Sequence, residues 1–246
     1  MTTTTRDYNK EAKDHPDHKY AYDFDYRMHH FMMRTFLKFK PGGKALELGC
    51  YHGAFTEIIL KHFSDVTVIE ASDECISIAK ERTGGKPSFI LNTFEGADLK
   101  EKFDAVFLIH TLEHIDDHVG VLSKVKQWIK PGGLLFMASP NANAPSRQIA
   151  VKMGLITHHS AITPAEKEHG HTVTYTLDTF ERDAVKAGLS IVHRGGVFFK
   201  GLANFQIDKA LAAGIISEEY LEGCYQLGTV YPDLCSSVYL VCTVES

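Results

Sequence analysis

The sequence lacks any run approaching the ~18 consecutive apolar residues that a membrane helix needs. Its opening stretch, MTTTTRDYNKEAKDHPDHKY, holds no apolar core of a secretory signal. Membrane insertion is therefore not expected. Cys50, Cys75, Cys224, Cys235 and Cys242 are odd in number and form no C-x-x-C pair. That pattern fits reduced thiols in a cytoplasm better than a secreted disulfide framework. An excess of Lys and Arg is also missing: the formal net charge is -5, which argues against a broad counterion-displacing grip on nucleic acid. With no internal repeat and no low-complexity linker, the chain reads as one domain with inserted segments.

What is present is an ordinary globular composition, 44% hydrophobic and 23% charged. Beyond a polar start, YAYDFDYRMHHFMMRTFLKF (20–39) has near-helical apolar spacing and ends at PGGK. Seven apolar runs then read as buried strands: 44–48, 66–70, 87–91, 103–109, 133–139, 190–199 and 235–244. AFTEIILKHF, DECISIAKER and HVGVLSKVKQWI alternate with the earlier strands at helical period, which predicts an α/β chain with a doubly wound, largely parallel sheet. Thr176 and Gly188 bracket a later helix as cap and stop. The expected organisation is a tail and capping helix over 1–40 and a domain over 41–246, with lid insertions at about 141–172 and 200–234.

The first strand runs into LELGCYHGAF, where Gly49 and Gly53 allow close approach to the backbone ahead of a helix N-terminus. Glu70 ends the second strand, at the spacing that suits a carboxylate accepting both hydroxyls of a ribose. Together they predict an adenosine-containing ligand. A dinucleotide loop would carry a further glycine for the pyrophosphate, and Tyr51 stands there instead. The stretch HTLEHIDDH places His110, His114 and His118 four apart, with Glu113, Asp116 and Asp117 among them. Such spacing suits a metal on a continuous helix. His110, however, closes an apolar strand, so the row does not share one helix and no metal is expected from it.

The motifs LELGCYHG, VTVIEAS, FDAVFLIHTLEHIDD and IKPGGLLFMASPN, in this order, resemble those of the class I S-adenosylmethionine-dependent methyltransferases over roughly residues 20–196. The resemblance implies a Rossmann-like seven-stranded sheet with the last strand antiparallel, and S-adenosylmethionine as cofactor. It implies that Glu47 and Gly49 lie near the methionine end, with Gly53 in the same loop, that Glu70 takes the ribose and that Ala71 packs on the adenine. Thr93 or Phe94 would meet the base edge, and His110 would sit beside the methionine moiety. Tyr20, Tyr22 and Arg27 would close over the cofactor carboxylate, and the side chain of Tyr51 would point away. Candidates for the catalytic base are His114, His169 and His171.

The tail resembles methyltransferases of bacterial surface-polysaccharide and natural-product functions. With His158, His159, Arg147, Lys152 and Lys200 at hand, the expected acceptor is a small anionic molecule such as a nucleotide-linked or phosphorylated sugar, methylated on oxygen. Nucleic acid is not expected as a partner, and a homodimer is allowed. N-methylation, a nicotinamide oxidoreductase and a non-catalytic cofactor-binding protein stay open as alternatives.

Overall fold

Seven strands form one sheet in a computed structural model that describes Arg6, Tyr8, Asn9, residues 22–168 and residues 170–245. They are β1 (Lys44–Leu48), β2 (Asp65–Glu70), β3 (Ser88–Leu91), β4 (Phe103–Ile109), β5 (Ile129–Pro140), β6 (Ser190–Phe199) and β7 (Cys235–Thr243), in the spatial order β3-β2-β1-β4-β5-β7-β6. Strands β1 to β5 pair in parallel, and β7 runs antiparallel to β5 and β6. This is the doubly wound arrangement expected from the alternation of apolar runs and amphipathic segments.

Alternate residues of β4 explain why its run is continuously apolar. Ala105, Phe107 and Ile109 enter one buried layer, while Val106 and Leu108 enter the other. The first layer lies under helix α1 (Asp23–Phe36), whose buried Phe24, Met28, Met32 and Phe36 recur at helical spacing. There Phe107 stacks on Phe136 at 5.2 Å between ring centroids, and Phe36 packs on Phe136 at 5.1 Å. Trp128, Tyr175 and Phe180 belong to the layer on the opposite face.

Further helices among the described residues are α2 (Ala54–Ile59), α3 (Asp73–Thr83), α4 (His118–Val125), α5 (Pro145–Lys152), α6 (Pro164–Glu168), α7 (Leu177–Lys186), α8 (Asn204–Ala212) and α9 (Glu218–Leu227). Thr176 caps α7 by accepting from the Thr179 amide, and Gly188 follows its end with a left-handed backbone. β5 is longer than the run 133–139, because it begins at Ile129 and takes in the KPGG residues. A Cβ on Gly133 would lie 2.9 Å from the Phe103 carbonyl oxygen, and the β4–β5 register shifts at this point. Glycine therefore lets the two strands approach closely at this point. Among the described residues no helix is long and apolar enough to cross a membrane.

Candidate active site

Strand order reverses between β1 and β4, so the connections leaving them diverge and open a crevice at the carboxyl edge of the sheet. A cavity of about 460 Å³ fills this crevice. Glu47, Gly49, Glu70, Ala71, Thr93, Phe94, His110, His114 and His171 all line it.

Glu70 braces the two loops at the head of the cavity. One carboxylate oxygen accepts from the Cys50 amide at 3.0 Å and the Tyr51 amide at 3.1 Å. The other accepts from Ala71 at 2.8 Å and Ser72 at 3.1 Å. An ionised carboxylate has about four acceptor positions, so a ribose hydroxyl reaching Glu70 must share with these amides or displace them. Gly49 has a φ of 78°, and a Cβ there would stand 2.8 Å from the Thr111 side chain. Tyr51 keeps a left-handed backbone, with φ at 47°, although it is not glycine. Its ring stacks on His52 at 3.6 Å, and both residues belong to the cavity wall. The outward-turned Tyr51 expected from the sequence is thus replaced by a paired aromatic wall.

Glu47 is only 2% exposed, and its Oε2 has no hydrogen-bond partner among the described residues. Burial, reinforced by the nearby Glu70 charge, pushes its carboxyl up to about 8, against an opposing contribution from Thr56. Such a group accepts a cation readily, because a neighbouring positive charge returns it to its ionised form.

The histidines separate into distinct roles. His110 meets the Ser237 hydroxyl through Nε2 at 3.0 Å, and burial, helped by His29 and His171, lowers it to about 3. It is neutral at ordinary pH and a weak base. His118 opens α4 and meets the Thr172 hydroxyl at 3.2 Å. His114 and His171 come together, with ring centroids 4.6 Å apart at 83°. His169 lies outside the described residues, as does Tyr20.

Three expected cofactor contacts are placed elsewhere. Tyr22 is 40% exposed and lies near Phe205, at 6.1 Å between ring centroids. Arg27 pairs with Glu218 of α9 at 2.6 Å on the exposed side of α1, so neither it nor Tyr22 lines the cavity. The helical period turns Met28 and His29 toward the cavity, leaving Arg27 outward. Gly53 is also off the wall: its missing side chain makes room for α3, where a Cβ would stand 2.9 Å from that of Ala79.

The family model described as methyltransferase domain matches residues 20–194. The chain belongs to this family. Among relatives of the methyltransferase, the ubiquinone biosynthesis O-methyltransferase of Sinorhizobium medicae (strain WSM419) is 26% identical over 167 residues, 66% of this chain and 66% of the relative. Its namesake from Vibrio parahaemolyticus serotype O3:K6 (strain RIMD 2210633) is 30% identical over 140 residues, 51% of this chain and 60% of the relative. The matched region thus spans less than two thirds of these curated relatives' length. The solved N-methyltransferase NodS from Bradyrhizobium japonicum WM9, in complex with S-adenosyl-L-homocysteine, shares 18% identity. Its TM-score is 0.58, with 96% of this chain and 92% of that chain covered. The fold is that of the class I methyltransferases, whose cofactor is S-adenosylmethionine.

The residues of this methyltransferase fit that cofactor. The orphaned Glu47 oxygen suits its ammonium group, Glu70 and Ala71 stand at the end of β2, and Thr93 and Phe94 follow β3 on the same wall. Sequence reasoning missed Arg6, Asp25, His29, Arg82 and Asn204, all lining the cavity, whereas Lys200, named among the candidate cations, does reach it. For His29 the helical period was a usable signal. For Arg6, Arg82 and Asn204 there was none, since only folding brings their elements to the crevice.

Proposed function

We propose that the protein transfers the methyl group of S-adenosylmethionine to a hydroxyl of a small polar acceptor, with His114 and His171 assisting removal of the hydroxyl proton. The observation that carries this reading is the His114–His171 pair on the wall of the cavity that also holds Glu47 and Glu70. When bound, the cofactor supplies a methyl group already activated on a sulfonium. The chain's residues then have to hold the acceptor in line and manage one proton. Glu47 would hold the ammonium group and Glu70 the ribose. His110 is too weak a base for the proton and instead fixes the wall through Ser237. The relatives named as O-methyltransferases support transfer to oxygen.

The N-terminal segment 1–40 is read as a tail and capping helix, and the segments 141–172 and 200–234 as lids on a domain spanning 41–246. Ser146, Arg147, His171 and Asn204 from these lids reach the cavity wall, which supports that reading. An anionic acceptor, such as a nucleotide-linked or phosphorylated sugar, would seat its charge at Lys200. That side chain lines the cavity, is 6% exposed and is lowered to about 8 by burial, with Asp25 and Asp208 opposing the shift. Arg147 is less available, being bound to Glu166 at 2.5 Å and to the carbonyls of His159 and Ala161. His158, His159 and Lys152 are exposed and off the cavity wall. Carboxylates outnumber cations along that wall, which favours a small molecule over nucleic acid. The five buried free cysteines fit a cytoplasmic location.

The test is transfer of labelled methyl from S-adenosylmethionine to hydroxyl, amine and phosphorylated-sugar acceptors. Label on oxygen is expected. His171→Ala and His114→Ala are expected to lower turnover about a hundredfold while leaving S-adenosylhomocysteine affinity within about twofold. Label on amines alone would overturn the O-methylation reading, and binding of NAD in place of S-adenosylhomocysteine would overturn the proposed transferase activity.

A further inference from the structure

Glu113 and His114 occupy the tight turn Leu112–His114 that follows β4, and His171 reaches them from the loop ahead of α7. One carboxylate oxygen of Glu113 and one ring nitrogen from each histidine lie within 4.8 Å of one another. Among the described residues, no other group of three histidine, cysteine or acidic side chains meets in this way. The set differs from the row His110, His114, His118 in the sequence, because His110 turns to Ser237 and His118 to Thr172.

The surroundings hold the three side chains in place. Ser139 donates its hydroxyl to Glu113 Oε2 at 3.1 Å, orienting a carboxylate that is only 1% exposed. The Thr172 amide donates to the Glu113 carbonyl at 2.8 Å, and the Thr172 hydroxyl donates to the Ile115 carbonyl at 2.7 Å. These bonds tie the His171 loop to the turn that carries the other two donors. Outer partners of this kind orient metal ligands. Bonds of about 2.1 Å need donor atoms roughly 3–3.5 Å apart, so side-chain shifts of about 1 Å would close the set.

We infer that Glu113, His114 and His171 form a binding site for a divalent first-row transition-metal ion, open to the methyl-transfer cavity. Two imidazoles and one carboxylate suit manganese, iron, cobalt or zinc and leave coordination positions for other ligands. The ion's role rests on the O-methylation reading. An acceptor hydroxyl takes an open position, its pKa falls, and its proton leaves to water. Its oxygen then forms the new bond to the methyl carbon as the sulfur–carbon bond breaks. In this scheme the two histidines assist removal of the hydroxyl proton through the ion they hold.

Untagged, chelator-treated protein is titrated with Co2+, followed by visible absorption, and with Mn2+, followed by electron paramagnetic resonance. One equivalent per chain is expected, with affinity at least tenfold weaker in His171→Ala and in Glu113→Gln. S-adenosylhomocysteine affinity is measured on the same samples, and its retention shows that the variants fold. Should His171→Ala fail to fold, Glu113→Gln, which keeps size and shape, decides alone. The absence of saturable binding in the parent protein, or equal binding in folded variants, overturns the site. Metal binding together with label on amines alone leaves the site standing and removes the O-methylation reading. Label on oxygen at an undiminished rate after chelation overturns the catalytic role of the ion and leaves that reading intact.

Discussion

Glu47 gives cofactor binding a pH signature. Its carboxyl stands at about 8 in the folded protein, above the ordinary 4.5. The folded chain thus retains a proton that the unfolded chain releases. Stability from this group falls as pH rises through the window from about 4.5 to 8, and the slope vanishes beyond it. His29 and His110, lowered to about 4 and 3 by burial, act oppositely and favour unfolding as pH drops below 6.5. The informative quantity is therefore the difference between parent and Glu47→Gln, in which the falling limb should flatten. An ammonium docking beside Glu47 should also expel its proton. Calorimetry of S-adenosylhomocysteine at pH 7 in buffers of different ionisation heat should show proton release in the parent and none in Glu47→Gln. Equal behaviour of the two would remove Glu47 from that role. Glu70 makes a second residue-scale case, since Glu70→Ala frees four backbone amides at once. The variant is expected to bind S-adenosylhomocysteine at least about tenfold more weakly, as charged hydrogen bonds contribute about 1.5–3 kcal/mol each; unchanged affinity would count against its assignment.

Among the elements, α7 carries its own start signal. The Thr176 and Thr179 side chains satisfy each other's backbone amides, so Thr176→Ala should cost about 1 kcal/mol. In a chain of this size that corresponds to a drop of about 2–4 °C in melting temperature, with S-adenosylhomocysteine affinity unchanged. A calorimetric scan with no shift would show that the cap contributes nothing measurable. Helix α1 gives a contrasting case. Its outward Arg27 pairs with Glu218 and its inward Met28 and His29 face the cavity. Arg27→Ala should leave cofactor affinity unaltered, and a loss of affinity would restore Arg27 as a contact to the cofactor.

For the whole molecule, the aromatic layer joins the α1 face to the sheet. Phe107 lies against Phe36, Phe55, Phe63 and Phe136 and is fully buried. Phe107→Ala should cost about 3–5 kcal/mol, read by chemical denaturation. A loss below about 1 kcal/mol would mean that the layer closes over the gap. This layer also sets the position of β4, and thereby of the turn that carries Glu113 and His114.

The sequence by itself determined the alternation of strands and helices, because a strand covered on both faces must be apolar throughout and a half-buried helix must repeat near 3.6 residues. FDAVFLI and the DECISIAKER segment show both rules. It also put Gly49 and Glu70 at strand ends, which converge on one edge in such a sheet, while the places of Glu47 and His110 were implied by the resemblance to methyltransferases. Tertiary structure alone decided which side of α1 faces the cavity, why Gly53 serves helix packing, and how Glu70 is spent on four amides. It alone brought His171 to Glu113 and His114. No local pattern encodes that meeting: it depends on Thr172 tying a loop to the turn after β4 across a separation of 57 residues in the chain.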